Sequence, residues 1–190
     1  MKVFFDTEFT GLHKNTSLIS LGLVDEDGRV FYAEFCDYDK SQVGDWVRDN
    51  VIKHLMHSGS DGISSAGWLK DEHCMVVYGD RNFVVKHLKV WLSKYQNVQL
   101  VSDVCHYDMV LFIDLFGSAF DLPSNVCPSC HDINQDIADY MGISEKEAFD
   151  INRELFLGPY ISNIKGKKHN ALYDAKVIKG IYNKIKDGND

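Results

Sequence analysis

The run Val3-Phe4-Phe5 leads directly into Asp6-Thr7-Glu8, and this junction constrains the chain more than any other stretch. The apolar, β-favouring residues predict a strand over 2–8. Residues two apart in a strand share a face, so Asp6 and Glu8 project side by side. Two carboxylates that close repel each other, and one is driven neutral unless a cation stands between them. Oxygen ligands at that spacing suit a hard divalent ion such as Mg²⁺ or Mn²⁺. Taken alone the pair also reads as a strand end entering a polar loop, the commoner outcome for so short a motif.

A second segment near the other end changes the balance. It reads Lys167-Lys168-His169-Asn170-Ala171-Leu172-Tyr173-Asp174. Five helical residues turn through about 500°, so His169 and Asp174 cannot share a helix face, and His169 belongs in the entering loop. Asn170 is then the N-cap, and Asp174 falls at the end of the first turn. A carboxylate there is also favoured by the helix dipole alone, and a loop histidine can simply be hydrogen-bonded. Between these ends, Leu100-Val101-Ser102-Asp103-Val104-Cys105-His106-Tyr107-Asp108 offers two acids after a strand. Asp103 reads as a turn residue or cap. Asp108 follows Tyr107 and opens the apolar run Met109 to Phe112, a buried helix.

Together these segments resemble the DEDDh family of 3′–5′ exonucleases, which includes oligoribonuclease, ribonuclease T and the proofreading subunits of replicative polymerases. Asp6 and Glu8 match the family's first motif, Tyr107-Asp108 the middle one, and His169 with Asp174 the last. A narrower likeness is to a compact bacterial and phage subgroup that includes a polyadenylate-preferring exoribonuclease. There too Asp-Thr-Glu-Phe opens the chain and His-Asn-Ala-Leu leads to the last Asp. The resemblance implies a ribonuclease-H-like α/β fold and two Mg²⁺ or Mn²⁺ ions per active site. It implies Asp6, Glu8, Asp108 and Asp174 as metal ligands and His169 as the base that takes a proton from water. Phe9, Thr10, Leu12 and Lys168 are expected at the substrate. Phe9 would stack on the terminal base, or else simply pack in the core. Single-stranded nucleic acid is the implied partner, RNA ahead of DNA, and homodimers are common among relatives.

Composition bounds these expectations. A chain of 190 residues with 45% hydrophobic content suffices for one domain, read here as 1–186 with a frayed tail at 187–190. No apolar run has the length of a membrane span and no signal-peptide core opens the chain, which predicts a cytoplasmic protein. The net charge of −8 is uneven: Tyr160 to Lys186 holds seven lysines and one acid, a local +6 against −14 elsewhere. Lys165, Lys167 and Lys168 flank His169 and could receive a phosphate backbone, whereas Lys184 and Lys186 read as a solvated helix face. Five cysteines with no regular spacing argue against a disulfide framework. Cys127-Pro128-Ser129-Cys130-His131 has no second ligand pair for zinc and reads as a loop or strand end with reduced thiols, with a redox or unusual zinc site as the alternative.

Strands are predicted at 2–8, 18–25, 29–35, 98–102 and about 125–127. Helices are predicted at about 43–56, 82–95, 108–116, 132–141, 144–156 and 171–186, with a flexible loop at 58–67. Three antiparallel strands followed by alternating helices and strands define a mixed sheet flanked by helices. Rival functions are an Asp-x-Asp-x-Thr phosphatase, which Glu8 fits poorly and which leaves His169 idle, and a non-catalytic nucleic-acid-binding module, which has no use for clustered acids.

Overall fold

The apolar strand β1 (Lys2–Phe9) lies inside the sheet, and both of its faces need cover. It pairs antiparallel with β2 (Leu18–Asp25) and parallel with β6 (Val98–Ser102). The computed structural model describes residues 1–57, 63–69 and 73–188. Its seven-stranded sheet also contains β3 (Val30–Phe35), β4 (Ser65–Trp68), β5 (Cys74–Gly79) and β7 (Val126–Asp132), in the order β4-β5-β3-β2-β1-β6-β7. The helices are α1 (Asp45–Asn50), α2 (Arg81–Leu92), α3 (Cys105–Phe116), α4 (Ile133–Met141), α5 (Glu145–Asp150), α6 (Arg153–Leu157) and α7 (Ala171–Asp187). Among the described residues, no helix is long and apolar enough to cross a membrane.

Side-chain alternation along β1 builds two cores. Val3 and Phe5 face one way, with Leu88 and Trp91 of α2 and Phe112 of α3. Phe4 faces the other way, with Ile133 and Ile137 of α4 and Val177, Ile178 and Ile181 of α7. Trp91 is wholly buried, as its helical spacing predicts. Asp6 and Glu8 continue the series that starts at Phe4, so they share the α7 side, while Thr7 continues the series of Val3 and Phe5. The C-terminal end of β1 thus carries polar groups to both faces of the sheet.

The first turn of α7 lies directly on the backbone of β2. Gly22 pairs with Asp6 across the two strands. A Cβ at Gly22 would stand 2.4 Å from the carbonyl carbon and oxygen of Ala171.

Several boundaries differ from those predicted. The segment 43–56 holds a short α1 and a 3₁₀ turn at Ile52–His54 instead of one helix. The segment 144–156 is two helices, because Ile151 turns extended and Asn152 caps a new start, accepting from Leu155 N at 3.0 Å. The predicted loop at 58–67 falls partly outside the described residues, and Ser65–Gly67 are in β4. Strand β5, parallel to β3, is an addition. Strand β7 runs through the whole Cys127-to-His131 motif. Asp187 ends α7, and residues 189–190 lie outside the described residues.

Candidate active site

The site forms where β1 and β6 end and where α3 and α7 begin. Asp108 stands in the first turn of α3, on the far side of the sheet from α7, and is almost wholly buried. Its Oδ1 accepts from Thr7 N at 3.2 Å and Thr7 Oγ1 at 2.5 Å, and its Oδ2 accepts from Ser102 Oγ. The middle residue of the Asp-Thr-Glu motif thus fixes the carboxylate of the middle motif. Helix α3 begins three residues earlier than predicted, so Asp108 meets the ends of β1 and β6 from a formed turn.

The α7 side is held by Asn170. Its Oδ1 accepts from Tyr173 N at 3.3 Å, the predicted N-cap. Its Nδ2 donates to Tyr32 Oη at 3.2 Å and to the His54 carbonyl at 3.1 Å. Tyr32 in turn donates to the buried Glu34 at 2.7 Å. This chain of bonds anchors the loop carrying His169, which adopts a left-handed φ of 64°. A non-glycine residue holds that conformation only where its surroundings over-determine it. His169 N donates to Asp174 Oδ2 at 2.8 Å, which orients the acid towards β1.

Two groups of ligand atoms result. Glu8, His169 and Asp174 offer atoms within 4.8 Å of one another, and so do Asp6, Asp103 and Asp108. The electrostatics are severe. Asp6 is pushed well above the usual carboxylate range by burial and then by Asp108, Asp174 and Glu8. Burial, then Asp174 and Asp108, raises Glu8 to about 8. Burial lifts Asp108 to about 7 against the bonds from Ser102 and Thr7, and lifts Asp174 to about 7 against the His169 amide. Asp6 Oδ2 is buried without a hydrogen-bond partner. Nearly all buried polar atoms are satisfied. An orphaned carboxylate oxygen among four more acids fits a cation, and hard oxygen donors of this kind suit a divalent ion.

The model of the Rv2179c-like 3′–5′ exoribonuclease domain matches residues 1–186. This chain belongs to that family. It is 44% identical over 55 residues to the 3′–5′ exoribonuclease Rv2179c of Mycobacterium tuberculosis, a stretch covering 29% of this chain and 33% of that protein. The fold is ribonuclease-H-like. It is similar to the nuclease domain of 3′hExo, a DEDDh family member bound to rAMP, with a TM-score of 0.65, 15% identity, and coverage of 98% of this chain and 92% of that one. It is also similar to S. pombe Pop2p in its Mg²⁺- and Mn²⁺-bound form, with a TM-score of 0.62, 15% identity, and coverage of 97% and 82%.

As elsewhere in such sheets, the acids open onto a cleft at the strand ends, here of about 690 Å³. Phe9, Leu12 and Lys168 line it. Leu12 is 77% exposed. One face of Phe9 is stacked on Tyr107 at 5.3 Å between centroids. Thr10 is placed differently from its sequence-based role. It is buried, outside the cleft lining, with Oγ1 bonded to Gln42 at 2.5 Å, Thr16 at 3.1 Å and Ser17 N at 3.0 Å. It braces the loop that follows β1.

Two cleft residues carried no motif. Trp46 of α1 is 58% exposed and meets His169 edge-on at 5.0 Å. Arg153 of α6 binds Asp103 Oδ2 at 3.2 Å, the Ala148 carbonyl at 2.7 Å and Asn134 Oδ1. A residue 50 positions from its partner leaves no local trace. The Cys-x-x-Cys pair does not act as a unit: Cys127 Sγ meets Ser129 Oγ at 3.2 Å, and Cys130 Sγ meets Cys105 at 2.8 Å.

Asp103 and Asp108 share a cluster but differ in charge balance, because only Asp103 has a guanidinium. Asp108→Asn is expected to reduce turnover by about 10³-fold or more, the scale for losing one member of a catalytic unit. Asp103→Asn is expected to retain activity and to destabilise the fold by about 1–3 kcal/mol, through the unpaired Arg153. Single-turnover rates beside urea melts separate the two. An inactive but stable Asp103 variant would reverse the assignment.

Proposed function

We propose that this protein is a divalent-metal-dependent 3′–5′ exonuclease that releases 5′-mononucleotides from single-stranded nucleic acid, with RNA preferred. The observation that carries this reading is that Asp6, with its orphaned Oδ2, lines one cleft with Glu8, Asp108, Asp174 and His169. The family description and the rAMP-bound relative support RNA. The Mg²⁺- and Mn²⁺-bound relative supports the choice of ions. The odd count and irregular spacing of the five cysteines support a reducing, cytoplasmic setting.

Asp6, Glu8, Asp108 and Asp174 would hold two divalent ions, which supply charge neutralisation for water attack and for the leaving oxygen. The protein's own groups do the rest. His169 faces Glu8 and Asp174 from a constrained loop and accepts a proton from water through its ring. Burial, Lys168 and His54 hold its pKa below 6.5, so the imidazole is neutral and able to act as a base at neutral pH. Thr7 and Ser102 keep Asp108 aligned. Leu12, the free face of Phe9 and Trp46 form an apolar surround for the terminal base, and Lys168 stands at the rim for a phosphate.

Matched RNA and DNA oligonucleotides labelled at either end test this directly. The expected result is stepwise loss from the 3′ end to 5′-monophosphates, faster on RNA, with Mg²⁺ or Mn²⁺ and not in excess chelator. Release of inorganic phosphate alone would indicate a phosphatase, and binding without cleavage would indicate a recognition module. Equal or faster loss of DNA would make the protein a deoxyribonuclease with the same site.

A further inference from the structure

Beside the catalytic cleft lies a second cavity of about 360 Å³, and its ionic lining is entirely basic. Lys53, Lys165, Lys167 and Lys176 line it, and none of its lining residues is acidic. Tyr173 lines both cavities, and the loop between them presents Lys168 to the cleft and Lys167 to the second cavity. The two spaces are therefore neighbours across one residue of backbone and one aromatic ring.

The seven lysines of this region divide by their contacts. Lys179 donates to the Asp25 carbonyl at 2.8 Å, and Lys184 donates to the Phe156 carbonyl while lying over the Phe156 ring. These serve the fold. Among the described residues, Lys165, Lys167 and Lys176 have no ion-pair partner. Lys53 pairs with Asp49 one turn away, but that pair is exposed and weak. The rest of the chain carries −14 outside Tyr160–Lys186, so a polyanion is repelled from most of the surface and drawn to this edge.

We propose that this cavity holds the phosphates of the single strand upstream of the scissile bond, so that Lys165, Lys167 and Lys176 set the preference for substrates longer than a dinucleotide. The proposal rests on the exonuclease reading above. Lysines act as point charges on flexible stems, which suits a moving, sequence-independent backbone. A strand that shortens by one nucleotide per cycle needs such a track, not a fixed pocket.

The test compares a dinucleotide with a single strand of about ten nucleotides, across a salt series, in the wild type and in the triple variant Lys165→Gln/Lys167→Gln/Lys176→Gln. Lys186→Gln serves as a charge control. Wild type is expected to favour the longer strand, with kcat/KM falling steeply as salt rises. Each phosphate contact on a single strand contributes a slope of about −0.7, so the triple variant is expected to flatten the log–log salt slope by about 2 for the long strand. Its dinucleotide rate is expected to stay at the wild-type level, which also shows that the variant folds. Wild type cleaving both lengths equally, or the variant losing both substrates alike, would overturn the subsite alone. Wild type cleaving neither would overturn the exonuclease reading and the subsite with it.

Discussion

Asp6→Asn is expected to give a protein that cuts nothing and, without metal, folds more firmly than the wild type. The carboxylate stands buried near four others, with one oxygen unpartnered. In the unfolded chain Asp6 ionises near 3.8, whereas in the fold it holds its proton to much higher pH. Glu8 does the same to about 8, and Asp108 and Asp174 to about 7. A folded state that binds protons more tightly is favoured at low pH, and that advantage is lost as pH rises through the raised values. The metal-free wild type should therefore lose thermal stability between about pH 4 and pH 8, and Mg²⁺ or Mn²⁺ should restore it by replacing the protons. Asp6→Asn removes one of the repelling charges, so its melting temperature should fall less over the same range and respond less to metal. Its turnover should drop by about 10⁴-fold or more. Calorimetry in chelator across that pH range, beside single-turnover assays, checks both halves. A variant that melts earlier at pH 8 than the wild type would show that the carboxylate holds the fold together.

His169→Ala is expected to lower kcat by about 10²- to 10⁴-fold, the range for a lost general base. The wild-type rate should rise with pH through a midpoint below the ordinary imidazole value, because burial, then Lys168 and His54, favour the neutral ring. The variant should lack that acidic limb. Metal affinity should persist, since the acids remain. Titration calorimetry showing lost metal binding would instead make the ring a ligand, a role its closeness to Glu8 and Asp174 permits geometrically.

The acids were legible because each lies at a junction that local sequence marks: a strand running into carboxylates, an N-cap before a helix, an aromatic before an acid. What joins them was less legible. Thr7 as the partner of Asp108, and Tyr32 and Glu34 behind Asn170, are meetings of distant segments that neither period nor capping encodes. The Met75-to-Tyr78 run carries a strand signal, but its place beside β3 does not follow from it. The helix predicted across 144–156 failed at Asn152, whose capping ability outweighed the apolar periodicity around it. Thr10 matched the motif's neighbourhood and is instead a brace, since its hydroxyl found Gln42 in a segment 32 residues away.

Gly22 contributes no chemical group to the site, yet it governs the separation on which the site depends. Because β2 lacks a side chain opposite Asp6, the leading turn of α7 rests on bare strand, and Asp174 arrives within reach of Glu8. A single methyl there would act as a spacer between two layers. All five reactive groups would survive, each on its own element, and the spacing that makes them a site would be gone. The geometry of the candidate site is thus partly written at a position no survey of functional groups would examine.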